Sequence, residues 1–256
     1  MRMLYLIVTQ IASGFLFVGQ HFNEKLKMFV GGRKDVFKTL ERNIAPDDKT
    51  IWFHCASLGE FEQAVPVIEA TKKLFTNHKI IISFFSPSGY EIKKNSSIAD
   101  CIVYLPLDTR SNVTKFIKLA HPSLAIFVKY EFWPNYLFEL KKSKIPTLLI
   151  SGLFREKQAF FKPYGSFMRK ALESFNHFFV QDLNSKELLK TIGLNNTTIS
   201  GDTRFDRVSH QIEQNNTLGF MDTFTNGSLC IVCGSTWPED EDILLDFINN
   251  TKEEVK

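Results

Sequence analysis

From residue 51 onward, short runs of consecutive apolar residues recur along the chain, each followed by a stretch whose apolar positions return at helical spacing. Residues 51–55, 80–85, 101–105, 124–128, 147–150 and 177–181 read as strands, with a further one at 197–200. These runs are apolar almost throughout rather than alternating, which is the pattern of parallel strands buried on both faces. Strand and helix in alternation predict an α/β protein built on a Rossmann-like, doubly wound parallel sheet.

Two segments break that rhythm. Residues 4–18 (LYLIVTQIASGFLFV) are apolar apart from Thr9, Gln10 and Ser13 and carry no charge. A helix needs roughly 20 apolar residues to cross a bilayer, so this is a marginal anchor. A secretory signal lacks a small-x-small cleavage site ahead of His21, and a buried core helix would look similar. The cations that follow, Lys25, Lys27, Arg33, Lys34 and Lys38, favour anchoring or shallow insertion with that flank cytoplasmic. The second break is 211–228 (QIEQNNTLGFMDTFTNGS), polar and irregular, which reads as a linker. Residues 229–233 then read as a new strand leading into Gly234-Ser235-Thr236 and an acidic helix from Pro238. A unit of one strand and one helix cannot bury its own apolar faces, so it either packs onto the first domain or is cut short. The expected organisation is a membrane-anchoring segment (1–22), a Rossmann-like domain (23–210), a linker (211–228) and the beginning of a second Rossmann-like domain (229–256).

Charge and cysteine usage narrow the classes. Lys and Arg exceed Asp and Glu by only 31 to 28, which removes the bulk basic footprint of a nucleic-acid binder. Of Cys55, Cys101, Cys230 and Cys233, three lie in apolar runs and read as reduced core residues of a cytosolic protein. The absence of a Walker loop, a metal-ligand cluster and a G-x-G-x-x-G fingerprint disfavours ATPase, metalloenzyme and ordinary dehydrogenase readings.

Ligands of open parallel sheets bind beyond the carboxyl ends of the strands, so the residues just after each strand are the candidates. In His54-Cys55-Ala56-Ser57-Leu58-Gly59-Glu60, Ser57-x-x-Glu60 has the spacing of a helix capping box. A carboxylate there can also act as a general base, and the two readings are compatible. In Lys129-Tyr130-Glu131-Phe132-Trp133-Pro134-Asn135, Pro134 suits a first helical turn, leaving Glu131 in the loop at the strand end, functional or simply paired with Lys129. In Gly201-Asp202-Thr203-Arg204-Phe205-Asp206-Arg207, the arginines suit a phosphate or carboxylate ligand, or else pair with Asp202 and Asp206. Ser86-Pro87-Ser88 and Gly234-Ser235-Thr236 present hydroxyls and amides at helix starts, where an anion or a simple cap would equally be served.

Taken in order, FHCASLGEFEQAVPVIE, FFSPSGYE, YLPLDT, VKYEFWPN, SGLFREKQAFF, FVQD, SGDTRFDR and GSTWPEDE resemble the motif series of the 3-deoxy-D-manno-octulosonic acid (Kdo) transferases over nearly the whole chain. The resemblance implies the amino-terminal domain of a glycosyltransferase B fold, in which the first domain binds a lipid A precursor (lipid IVA) and the second binds CMP-Kdo. It implies Glu60 as general base of an inverting transfer, Glu131 as a second functional carboxylate, and Arg204 in place of a commoner Lys. Ser57, Gly59, Ser86, Ser88, Gly234, Ser235 and Thr236 are the implied substrate-binding positions. No cofactor or metal is implied beyond the CMP-Kdo donor. The implied location is the cytoplasmic face of the inner membrane, where the acceptor lipid resides. The family's later CMP motifs lie beyond the motifs present here. Two rival readings stay open: a transferase of the same fold with another nucleotide sugar, and a non-catalytic fragment that binds lipid or membrane.

Overall fold

Seven parallel strands form one sheet in the order β3-β2-β1-β4-β5-β6-β7. They are β1 (Lys49–Cys55), β2 (His78–Phe84), β3 (Cys101–Tyr104), β4 (Pro122–Val128), β5 (Thr147–Gly152), β6 (His177–Val180) and β7 (Thr197–Ile199). The structure is a computed structural model and describes residues 1–251. All seven runs expected of the Rossmann-like domain are strands, and the expected doubly wound order is present. The chain walks outward from β1 to β3, then crosses back to place β4 against β1. That reversal is the topological switch point, and it leaves a crevice above the carboxyl ends of β1 and β4.

Alternation of side chains along each strand sends Trp52, Ile81, Val103 and Phe127 to one face and Ile51, Phe53, Ile80, Ile82 and Phe84 to the other. The first face is covered by α3 (Val36–Asn43), α6 (Arg110–Ala120), α7 (Pro134–Lys142), α8 (Ser166–Leu172) and α9 (Leu183–Thr191). Fully buried Trp52 lies at its centre, with ring centroids 4.9 Å from Phe116, 5.2 Å from Phe127 and 5.7 Å from Tyr136. The second face is covered by α4 (Leu58–Leu74) and α5 (Pro87–Lys93), through Phe61, Ala64, Val65, Ile68 and Tyr90. Burial on both faces is why the strands read as unbroken apolar runs.

The apolar first segment is a helix, α1 (Arg2–Gly19), followed by α2 (Glu24–Gly31). By length and composition α1 could cross a membrane. It nonetheless has one face against the domain. Tyr5, Leu6, Thr9, Ser13, Leu16 and Gly19 are partly covered, whereas Met3, Leu4, Ile7, Val8, Ile11, Phe15 and Val18 are exposed. The stripe facing the protein includes Thr9 and Ser13 beside Tyr5, Leu6 and Leu16, while most of the helix's large apolar side chains are exposed, unlike a soluble amphipathic helix. Tyr5 stacks near Phe167 at 5.3 Å and donates its hydroxyl to Asp108 at 2.7 Å, while Arg2 sits 5.1 Å over the Phe138 ring.

The chain divides into two units between Val208 and Ser209, within α10 (Thr203–Ile212). Two expectations fail beyond that point. The presumed linker contains a helix, α11 (Gly219–Thr225), because Phe220, Met221 and Phe224 fall at helical spacing and Asn226 ends it in the left-handed conformation, φ 46°. Residues 229–233 are not a strand: only Leu229 makes an isolated bridge. Among the described residues this unit has no neighbouring strand to satisfy its backbone groups, so the apolar run stays irregular. The last helix, α12 (Pro238–Asn250), begins at Pro238 as expected, with Gly234-Ser235-Thr236 in the turn ahead of it. Cys230 is consequently half-buried and Cys233 exposed, while Cys55 and Cys101 are core residues as expected.

Gly89 marks where α5 approaches the sheet most closely. A Cβ there would meet Phe84 Cδ1 at 2.3 Å and the Leu58 backbone nitrogen at 3.1 Å. Gly89→Ala should therefore lower stability by about 1–3 kcal/mol, read as a reduced urea midpoint at unchanged slope, despite the better helix propensity of alanine.

Candidate active site

The switch point brings two carboxylates together, one from each strand end. After β1 the chain turns through Cys55 and Ala56, and extended Ser57 (φ −137°) begins α4. Glu60, only 7% exposed, reaches back so that its Oε2 accepts the Ser57 backbone N–H at 2.9 Å and the Ser57 hydroxyl in a further short hydrogen bond. The capping geometry foreseen from the spacing is thus formed. It occupies one carboxylate oxygen, and Oε1 has no hydrogen-bond partner among the described residues. Gly59 is helical, and a Cβ there would meet only Ser57 Oγ, at 3.7 Å. A mid-turn glycine costs about 1 kcal/mol relative to alanine, and neither packing nor backbone conformation requires it here.

The neighbouring turn is lashed to this one: Phe85 and Ser86 both donate backbone N–H groups to the Ala56 carbonyl, at 3.1 and 2.7 Å. Ser86 Oγ accepts the Ser88 N–H at 3.3 Å and lies 2.9 Å from Ser88 Oγ. Ser57, Gly59, Ser86 and Ser88 therefore belong to adjoining helix starts at one edge of the sheet.

After β4, Lys129 adopts a left-handed backbone (φ 69°) that a non-glycine residue enters only at a cost. Its ammonium lies 5.1 Å over the Tyr130 ring, and the Lys129–Glu131 pairing considered from the sequence is not formed. Glu131 Oε2 instead accepts the Trp133 indole N–H at 3.0 Å and stands 3.7 Å from His54 Nε2. The same indole N–H reaches His54 Nε2 at 3.0 Å. Because that nitrogen accepts, the hydrogen-bond pattern assigns the ring proton to Nδ1, which faces Ser83 Oγ at 2.9 Å and the Ser83 carbonyl at 3.2 Å. Ser83 Oγ in turn accepts the Trp52 indole N–H at 2.8 Å. A polar line thus runs from the core at Trp52 through fully buried His54 to Glu131. Sequence reasoning gave His54 and Trp133 no role; the available signal was a histidine inside an otherwise apolar strand.

Cys55 lies beneath both carboxylates. Burial pushes its thiol well above the ordinary range, and the charges of Glu60 and then Glu131 push it further.

The third candidate region takes the ion-pair alternative. Arg204 donates through Nε to Asp202 Oδ2 at 2.8 Å and through Nη2 at 2.5 Å, with its side chain still 62% exposed. Burial works to raise the Asp202 carboxyl but is outweighed by hydrogen bonds from the Arg204 side chain and backbone and from Gln63, which hold it at about 2. Gln63 Nε2 donates to Asp202 at 3.0 Å and Thr203 Oγ1 to the Gln63 carbonyl at 2.6 Å, seating Arg204 beside the first turns of α4. Arg207 pairs with Glu62 at 2.9 Å, not with Asp206.

Gly234, Ser235 and Thr236 belong to the second unit, ahead of α12. Asp240 accepts the Trp237 N–H at 3.0 Å and Thr236 donates to Glu241 at 2.8 Å, so the cap of α12 is made by Trp237 and Asp240. Ser235 is left-handed, φ 59°. Among the described residues no cluster of three or more metal-ligating side chains occurs.

A family model described as 3-deoxy-D-manno-octulosonic-acid transferase (kdotransferase) matches residues 22–207. The chain belongs to the Kdo transferase family. It is 31% identical over 157 residues to the 3-deoxy-D-manno-octulosonic acid transferase of Aquifex aeolicus, covering 60% of this chain and 40% of that relative. Against the transferase of the same name from Rickettsia bellii it is 26% identical over 232 residues, covering 88% and 55%. The chain thus spans about half the length of the curated relatives it matches. In fold it is similar to a UDP-N-acetylglucosamine 2-epimerase, with TM-score 0.60, 10% identity and coverage of 82% of this chain and 63% of that one. The epimerase of Neisseria meningitidis gives TM-score 0.51 at 16% identity, with coverage of 71% and 56%. These likenesses place this Kdo transferase domain among Rossmann-like sheets of glycosyltransferase B type.

The Asp202–Arg204 pair has a pH signature. A carboxyl whose folded value is depressed contributes stability above its unfolded pKa, about 4, and loses it as pH falls through the folded value. The Asp202 side-chain carbon resonance should titrate with a midpoint of about 2, and Arg204→Ala should return that midpoint toward 4.

Proposed function

We propose that this chain is the acceptor-binding half of an inverting glycosyltransferase that moves Kdo from CMP-Kdo to a lipid A precursor, lipid IVA, with Glu60 as general base. The observation carrying this reading is the state of Glu60: one carboxylate oxygen is held by Ser57, the other has no partner among the described residues, and the group stands at the switch point, where both it and Glu131 act on Cys55. A base needs its accepting oxygen free and its orientation set beforehand.

In the proposed step the acceptor hydroxyl gives its proton to Glu60 Oε1 as its oxygen bonds to the anomeric carbon of Kdo. The bond from that carbon to the CMP phosphate oxygen breaks on the opposite face, and its electron pair leaves with CMP. Positive charge develops on the sugar in the transition state, and Glu131 lies where a carboxylate can offset it or orient the acceptor. Gly59 leaves room for the acceptor beside Glu60, and the hydroxyls of Ser57, Ser86 and Ser88 offer it hydrogen bonds. Arg204 is already held by Asp202, and its exposed N–H groups are what it offers to the departing phosphate.

The acceptor lipid gives α1 its purpose. A groove of mixed charge, about 670 Å³ and lined by Gln20, Glu24, Lys27, Lys34 and Glu91, adjoins one end of the helix, and a basic one of about 950 Å³, where Arg110, Lys115, Lys118 and Lys142 outnumber Glu41 and Glu139, adjoins its middle at Gln10. Neither includes Glu60 or Glu131. An exposed apolar face flanked by cations suits a helix lying in the interface of an anionic leaflet, here the cytoplasmic face of the inner membrane. Spanning would require pulling Tyr5 away from Asp108.

Transfer of labelled Kdo from CMP-Kdo to lipid IVA, measured with the protein as its gene encodes it in full, tests the assignment. Glu60→Gln should reduce turnover by roughly 10²–10⁴-fold while acceptor binding persists. Wild-type turnover in that variant would remove Glu60 as the base, and transfer from a different nucleotide sugar alone would remove the donor assignment.

A further inference from the structure

The loop that carries Glu131 and Trp133 runs directly into α7, whose N-cap residue, Trp133, makes no side-chain cap hydrogen bond. The orphan amides of the first turn must be satisfied from elsewhere. Asp108, in the turn after β3 and 4% exposed, does this from 27 and 28 residues away. Its Oδ2 accepts the Asn135 N–H and its Oδ1 the Tyr136 N–H, each at 3.1 Å. Asn135 Nδ2 returns a 2.6 Å hydrogen bond to the Asp108 carbonyl, and the Tyr136 hydroxyl one of 3.1 Å to Pro106. The third donor to the carboxylate comes from α1: the Tyr5 hydroxyl, 2.7 Å from Oδ2.

We propose that Tyr5 and Asp108 are positioning residues through which the seat of α1 sets the placement of Glu131 and Trp133. Among the described residues no cation pairs with the Asp108 carboxylate, so its retention in the interior rests on its hydrogen-bond donors. Loss of the Tyr5 donor leaves that charge under-satisfied and loosens its hold on the start of α7. Trp133 is the residue immediately before α7, and its single indole N–H is shared between His54 and Glu131. A small displacement of the helix start therefore redistributes that shared hydrogen bond and turns Glu131. The first helix is accordingly part of the scaffold of the site as well as a candidate membrane contact. The importance of Glu131 rests on the transfer reading above, whereas the mechanical link does not.

The test uses the full chain labelled with ¹⁵N in tryptophan, which has three indole resonances, from Trp52, Trp133 and Trp237, assigned with Trp133→Phe. Tyr5→Phe keeps the ring packing and removes one donor. Its expected result is displacement of the Trp133 indole resonance with Trp237 unchanged, and hydrogen exchange about tenfold faster at the Asn135 and Tyr136 amides. Leu16→Ala, which trims α1 away from Asp108, is the control and should move neither. An unmoved Trp133 resonance in Tyr5→Phe, or equal effects from both variants, overturns the proposal. In the transfer assay Tyr5→Phe should lower kcat more than it raises the acceptor KM. Loss of transfer activity in the wild type, with the Trp133 displacement present in Tyr5→Phe, would remove the functional reading and leave the positioning link standing.

Discussion

A parallel sheet buried on both faces must send every strand in one direction, and therefore collects all its outgoing turns along a single edge. That constraint makes everything at the site possible. The pairing of β4 with β1 separates two groups of turns at that edge, so the turns that carry Glu60 and Glu131 adjoin although 70 residues lie between the two carboxylates. The apolar packing around Trp52 on one face and Phe61 with Phe84 on the other holds the two strand ends rigid. Turns on such a platform can carry polar groups that would be costly in the middle of the sheet.

Capping is the local device that converts this platform into chemistry. A helix start must satisfy its free amides, and a carboxylate that does so has its position determined by backbone geometry. Glu60 satisfies the amide of its own N-cap residue and keeps one oxygen unused. Asp108 caps a helix remote in sequence and is saturated by donors. The two buried carboxylates differ in how many of their lone pairs the protein consumes. His54 follows the same accounting in an imidazole: serine behind it and an indole in front leave no polar atom idle in an apolar core.

The amino-terminal helix combines two demands that usually conflict. Tyr5, Thr9 and Ser13 face the protein beside Leu6 and Leu16, and most of its large apolar side chains face outward. The inward stripe gains specific contacts such as Tyr5 with Asp108, while the outward face awaits an apolar environment. The lipid acceptor proposed above would give both faces a use.

The strand runs, the doubly wound class, the helix start at Ser57 and the loop position of Glu131 were all legible in the sequence, because backbone hydrogen bonding and two-sided burial impose local patterns that survive without any partner. Unbroken apolar runs, a serine three residues before a glutamate, and a proline after a tryptophan each report a local energy. What only the tertiary structure decided is which groups meet: that Trp133 and not Lys129 engages Glu131, that Arg204 is held by Asp202, that Asp108 caps α7, and that Tyr5 reaches it. The first two join residues only two apart, where spacing left rival partners open; the last two depend on strand order and on contacts across 27–28 and 103 residues, about which local spacing carries no information. The apolar run after Ser228 shows the converse. Its pattern is that of a strand, yet a strand exists only where a neighbour completes its hydrogen bonds, and no local sequence can supply one.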